Sequence, residues 1–305
     1  LVNRARRRLE ERADQLLTLA RWQLQAARRG ALPLPGRLTE EPRWAVLTVN
    51  RSTTRYLKLM LLTLCEQREL ARIGRVVICD NGSRDGGADF VRRLAARCPR
   101  VLAVVCGRGS SHARGMRAAI EALTADEARG ARQAREAPSN LWLFCDTDVV
   151  FRNEETLRDL GTRIVESGAA AAGELRHGVY PVPEAQASFV AMRADWYHHP
   201  RIIPWVNHGA PSYWMQRSIW RAGGTILDFP SNHGGYILHR GRAAVANART
   251  YDPLSSYATV ANARPHFMGV AGGAEIWAEV EGRNARWLEE EREGELIALL
   301  ADRLR

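Results

Sequence analysis

The chain has 305 residues, 46% of them hydrophobic, and a formal net charge of +10. That length suits one large α/β domain or one domain with appendages, and no apolar run approaches the ~18 residues of a membrane span. Lys58 is the only lysine, so the charge is an arginine bias and a weak argument for a nucleic-acid partner; none is expected. Five cysteines, Cys65, Cys79, Cys98, Cys106 and Cys145, form no Cys-x-x-Cys. They predict buried free thiols in a reducing compartment rather than a zinc site. With no compact apolar segment in the Arg-rich first thirty residues, no signal peptide is expected. The expected location is the cytoplasm, with peripheral membrane contact as the further option.

Residues 1–30 predict a helix, with Leu9, Ala13, Leu16, Ala20 and Leu24 stepping by three and four among arginines. An accessory helix packed on the domain or on a second subunit is favoured. A basic amphipathic helix at a membrane surface is the alternative, disfavoured because the apolar stripe is thin and Ala-rich. Trp44–Asn50 reads as a buried strand, 54–72 as a helix, Arg75–Asp80 as a second strand, and 86–97 as a helix. Val101–Val105 is a third strand and 110–124 a helix. The polar stretch 125–139 reads as a helix extension or loop, and 141–145 as the next strand. Strand and helix alternate as in a doubly wound parallel sheet.

The second half is richer in Pro, Gly, Trp, Tyr and His. Residues 170–174 and 188–193 read as strands, 211–223 as a helix ending at Gly223-Gly224, and 284–304 as a charged amphipathic helix. A loop-rich, aromatic-rich composition suits an acceptor-binding surface more than a second core. Trp196, Tyr197, Trp205, Tyr213, Trp214 and Trp220 are expected mostly to pack, with one or two touching an acceptor.

Three segments carry chemistry. The strand Leu141–Cys145 ends in Asp146-Thr147-Asp148, at the strand end where open α/β sheets place ligands. Two carboxylates two residues apart there can hold a hard divalent cation. The second strand ends in Asp80-Asn81-Gly82-Ser83-Arg84-Asp85, where an acid can accept from a base or ribose and Asn-Gly supplies a tight turn. A dinucleotide fingerprint is excluded: the loop after the first strand, Asn50–Arg55, has no glycine, and Gly107-Arg108-Gly109 does not continue the pattern.

With His112-Ala113-Arg114-Gly115 and Asp146-Thr147-Asp148 following in order, residues 44–150 resemble a family 2 glycosyltransferase. The resemblance implies a GT-A fold: α/β, Rossmann-like, with a mostly parallel central sheet flanked by helices. To this the chain adds the N-terminal helix already read from its spacing, and a loop-rich C-terminal half expected to bind the acceptor. It divides the chain into an accessory helix and linker (1–40), a nucleotide-sugar-binding half (41–150), a metal-completing and acceptor-binding half (151–275) and a C-terminal helix (276–305). Donor contacts are expected from Thr48, Asn50, Asp80, Asn81, Arg114, Asp146, Asp148, Arg240 and Arg242. Mn2+ or Mg2+ is expected on Asp148, Asp146 and His239, with His233 as the runner-up histidine.

The implied partners are a nucleotide-diphosphate-sugar and a small-molecule, lipid or glycan acceptor, with a homodimer or membrane contact through residues 1–30. The family's acidic pair before the Arg221-Ala222-Gly223 turn is missing. His208 is therefore a candidate base, with Glu174, Glu184 and Asp195 as other sources, and an inverting or a retaining outcome both remain open. A nucleotidyltransferase ranks lower, because its basic Gly-rich first loop is absent. A non-catalytic nucleotide- or carbohydrate-binding protein is the reading from another class.

Overall fold

The computed structural model describes residues 2–29, 32–107, 110–133, 137–207, 210–253, 258 and 260–305. A long helix, α1 (Val2–Arg29), precedes β1 (Trp44–Asn50), α2 (Thr54–Leu64), β2 (Ile73–Asp80), α3 (Gly87–Arg97), β3 (Val101–Val105), α4 (His112–Arg132) and β4 (Leu141–Cys145). Then come β5 (Val149–Phe151), α5 (Thr156–Ser167), β6 (Ala171–Arg176), β7 (Glu184–Arg193), α6 (Ala194–Tyr197) and α7 (Tyr213–Ala222). The chain continues through β8 (Ile226–Asp228), β9 (Ile237–His239), α8 (Ala243–Tyr251), α9 (Gly273–Arg283) and α10 (Glu293–Arg303).

The main sheet has the order β3-β2-β1-β4-β7-β6-β8. Strands β1 to β4 are mutually parallel, β6 runs parallel to β8, and β7 alone is reversed between β4 and β6. This is the mostly parallel α/β sheet expected from the alternation of elements. Every residue of β1 is buried, as a central strand covered on both faces must be. Trp44 and Val46 face one core with Leu57, Phe90, Leu94, Leu160 and Leu300. Ala45, Leu47 and Val49 face the other with Met116, Ile120, Trp142, Trp205 and Ile219. The first core is closed by α10, which packs on α3, so the C-terminal helix belongs to the same core as β1 and β2.

Several bounds differ from the sequence reading. Helix α2 stops at Leu64 rather than 72. The buried Gln67 side chain donates to Asn153 O at 2.8 Å and accepts from Leu157 N at 3.2 Å, turning the chain into a separate short helical turn, Arg68–Arg72. Helix α4 absorbs residues to 132, where Asp126 pairs with Arg75 and Glu127 accepts from Ser139 N. Residues 284–292 form two short turns before α10. Elements α5, α8, α9, β5, β8 and β9 had no counterpart in the sequence reading.

A two-stranded sheet, β5-β9, positions the site. Its antiparallel register sets Val149 opposite His239, which delivers a residue from 90 positions downstream beside Asp148.

Candidate active site

Strand β4 ends at Cys145, and the backbone of Asp146 stays tethered to the sheet through Asp146 N donating to Ser188 O at 2.8 Å. After Thr147 the chain turns into β5. Arg240 N then donates to Asp148 O at 2.9 Å, so the β5-β9 ladder starts at the second aspartate. His239 Nε2 lies 3.3 Å from Asp148 Oδ1 and 3.9 Å from Asp146 Oδ2. Potential ligand atoms of these three residues fall within 4.8 Å of one another, the only such group of three or more His, Cys, Asp or Glu among the described residues.

Oxygen ligands plus one imidazole are an acceptable donor set for Mn2+ or Mg2+, with the histidine favouring Mn2+. The residues present therefore fit a divalent cation. His239 is held from behind by its own N–H, which donates to Asn232 Oδ1 at 2.9 Å, and its buried Nδ1 finds no partner among the described residues. The cluster is graded in exposure: Asp146 is 32% exposed, Asp148 9% and His239 8%.

Burial works against charge on all three, and their mutual contacts decide the outcome. Asp146 is pushed up by burial, which outweighs the attraction of His112 and His239. Burial also opposes the charge on Asp148, but His239 and the Ala243 N–H hold its carboxyl below the usual carboxylate range. His239 is disfavoured as a cation by burial, yet Asp148 and Asp146 together lift it above the ordinary imidazole range.

The residues at the ends of β1 and β2 form a second, connected layer. Asn50 and Asp80 are paired across β1 and β2 and both are fully buried. Asp80 Oδ1 accepts from Gly82 N at 3.0 Å and Ser83 N at 2.9 Å, while Oδ2 accepts from Asn50 Nδ2 at 3.0 Å. The Asn50 amide also donates to Thr54 Oγ1 and Ser83 Oγ and accepts from Thr53 N and Oγ1. Both side chains thus hold loops in place.

Asn81 donates to Ser111 O at 3.0 Å, which ties that turn to the start of α4. Gly115 permits this approach, because a Cβ there would lie 2.7 Å from Asn81 Oδ1. Thr48 is buried inside β1 with its hydroxyl unpartnered among the described residues.

The remaining expected contacts spread around this centre. Arg240 sits over the Tyr56 ring at 4.8 Å, and Arg242 is exposed at the start of α8. Arg114 is exposed on the first turn of α4. His208 lies outside the described residues. Of the three other acids, Asp195 pairs with Arg193 at the opposite edge of the sheet, because β7 runs against β4. Glu184 is buried against Arg176. Glu174, at the C-terminal end of β6, accepts from Asn232 N at 2.6 Å and from the His233 ring. That contact places His233 on Glu174 rather than in the metal cluster. Trp196, Trp205 and Tyr213 are buried packing residues; Trp205 meets Phe144 edge-on at 5.0 Å.

Four participants escaped the sequence reading. Thr53 Oγ1 and Thr147 Oγ1 are 2.8 Å apart, joining the first loop to the Asp-x-Asp turn. Asp85 accepts from Thr54 N and Oγ1 at the start of α2. His112 Nε2 lies 4.0 Å from Asp146 Oδ1. Thr147 and His112 stood inside quoted motifs, but nothing in their spacing pointed to these partners.

No family model and no curated protein matches the chain. Among solved structures, a mannosyltransferase from Pyrobaculum calidifontis in complex with GDP-Man and Mn2+ is similar at a TM-score of 0.47 and 14% identity, over 97% of this chain and 84% of that one. TarS 1-349 of S. aureus gives 0.46 and 14%, over 69% and 66%. Glucosyl-3-phosphoglycerate synthase from Mycobacterium tuberculosis, in complex with phosphoglyceric acid, gives 0.41 and 13%, over 68% and 78%. At these scores the likenesses carry no weight for function, which rests on the site's own geometry.

Proposed function

We propose that this protein is a metal-dependent glycosyltransferase, moving a sugar from a nucleoside-diphosphate donor to a hydroxyl acceptor. The observation that carries the reading is the Asp146–Asp148–His239 cluster at the C-terminal edge of a parallel sheet, beside the turns after β1 and β2. Those turns suit the nucleoside: Asn50, Asp80 and Ser52 hold the N–H groups of residues 81–84, so the turn that would meet the base or ribose is fixed before a ligand arrives.

Asp146, Asp148 and His239 would hold the cation. Bound there, it would offset the negative charge that builds on the departing diphosphate. Arg240 and Arg242 follow His239 directly and would add positive charge on the diphosphate side. The buried Asp148 and His239 would shield the cation from water on the protein side, and the more exposed Asp146 would meet the sugar or ribose. His208 is assigned the acceptor proton, since an imidazole has a suitable ordinary pKa for a general base.

The test is donor turnover with UDP-, GDP- and dTDP-sugars, with Mn2+ and with EDTA. At least one donor should turn over with metal, EDTA should abolish it, and Asp148→Ala should lower it by at least the ~100-fold upper end seen for outer-shell partners of metals. If no nucleotide-sugar is bound or consumed, or Asp148→Ala changes nothing, the reading is wrong. His208→Ala should stop transfer to acceptor while donor binding persists.

A further inference from the structure

Helix α1 is amphipathic twice over. One face is seated on the body of the protein: Thr18 is buried, Trp22 half-buried, and Asp14 pairs with Arg117 of α4 at 2.7 Å. Arg117 in turn donates to Trp205 O at 2.8 Å, and Arg29 donates to His198 O at 3.2 Å. The opposite face is apolar and uncovered. Leu9 and Leu16 are each 68% exposed, Leu24 61% and Leu17 58%. At ~100° per residue these four fall within one sector of about 100°, with Ala13 and Ala20 between them. They account for four of the eight exposed large hydrophobic residues among those described, so the exposure is concentrated rather than scattered.

The charge around this stripe selects its partner. The helix carries eight arginines and three acidic residues in 28 positions, a net of +5 and half of the chain's +10. Among the described side chains, the charged residues flanking the stripe are Arg12, Arg21 and Arg28, all exposed. Asp14 is turned to the body and spent on Arg117. Two copies meeting through this face would bring arginines against arginines over a seam one-third alanine, a poor basis for a dimer. An anionic lipid surface satisfies both halves: leucines enter the acyl boundary while arginines meet the headgroups.

We infer that α1 seats the protein on an anionic membrane surface through Leu9, Leu16, Leu17 and Leu24, flanked by Arg12, Arg21 and Arg28. No helix of the described residues is long and apolar enough to cross a membrane, so the contact is peripheral. It is reversible and salt-sensitive, because the arginine contribution is screened within a Debye length.

Vesicle co-sedimentation of the whole chain tests this. Vesicles of phosphatidylcholine mixed with phosphatidylglycerol should bind the protein about tenfold or more tightly than phosphatidylcholine alone, and high salt should release it. Leu16→Glu with Leu17→Glu should remove binding, and Arg12→Glu with Arg21→Glu should remove the preference for anionic vesicles. Both pairs are exposed, so circular dichroism and thermal midpoint should match the parent. Equal binding to neutral and anionic vesicles, no binding to either, or variants that bind like the parent would each overturn the inference. So would a sedimentation-equilibrium dimer that Leu16→Glu and Leu17→Glu dissolve without any vesicle binding; the face would then belong to a second copy.

Discussion

Asp148 and His239 set each other's protonation, and this gives the cluster a defined pH response. Because His239 is raised in the folded state, its contribution to metal-free stability is complete below the ordinary value of ~6.5 and is lost as pH climbs through the raised value. The lowered Asp148 contributes in the opposite sense: its share is present above the ordinary carboxylate value and fades as pH falls through its depressed one. A cation needs the imidazole neutral, so Mn2+ affinity should rise from about pH 6.5 upward, across the raised value of His239. Titration calorimetry on the parent and on His239→Gln checks this. The variant should bind more weakly and lose the slope; a parallel pH dependence in both would show that another group controls it.

Asp146 and Asp148 were legible because an apolar run stops at them, and His239 because a short apolar run precedes a basic residue. The internal duties of Asn50 and Asp80 were not legible. Satisfaction of a buried amide is a property of what the fold brings near, and Asp80 and Ser83 reach Asn50 only once β1 and β2 are paired.

At the scale of elements, the start of α3 is the tightest constraint on the nucleotide turns. A Cβ on Gly87 would fall 2.6 Å from Thr54 Oγ1 and 2.7 Å from Asp80 Oδ2, and would also strike the Asn50 amide. These neighbours are buried and mutually bonded, so they have little room to give way. Gly87→Ala should cost about 1–3 kcal/mol, the range for overpacking a filled site, and should weaken nucleotide binding more than Mn2+ binding. Urea unfolding and two separate titrations measure this; an unchanged unfolding midpoint would mean that α3 shifts freely.

The strands that matter most to the cluster, β5 and β9, were invisible beforehand because three residues are too few for any hydrophobic period to show. Helix α2 was over-extended for a related reason. Leu70 continues the apolar spacing, but the tertiary bonds of Gln67 end the helix first.

For the molecule as a whole, the last helix and the first strands share one core. Leu296, Leu300 and Leu304 are buried with Trp44, Val46 and Leu94, although they are separated by most of the chain. Leu300→Ala should therefore destabilise the core around β1 and β2 by about 2–5 kcal/mol, the usual cost of deleting a core leucine. Far-ultraviolet dichroism and tryptophan fluorescence should still report one coincident transition. Two separated transitions would show that α10 melts independently. The doubly wound half was legible because its strands and helices alternate in regular, fully buried runs. The 151–275 stretch was less so, since its sheet mixes directions and its strands are partly exposed.

The hydroxyl contact between Thr53 and Thr147 is small, but it makes the first loop and the turn between the two aspartates one mechanical piece. Ordering either side should remove freedom from the other, so a cation and a nucleotide bound there are expected to cooperate. If Mn2+ tightens nucleotide binding by some factor, nucleotide must tighten Mn2+ binding by that same factor. Thr53→Val keeps the shape and removes the contact. It should shrink the factor in both directions equally, while the affinity for Mn2+ alone stays as it was. Order of addition would then matter less to the variant than to the parent.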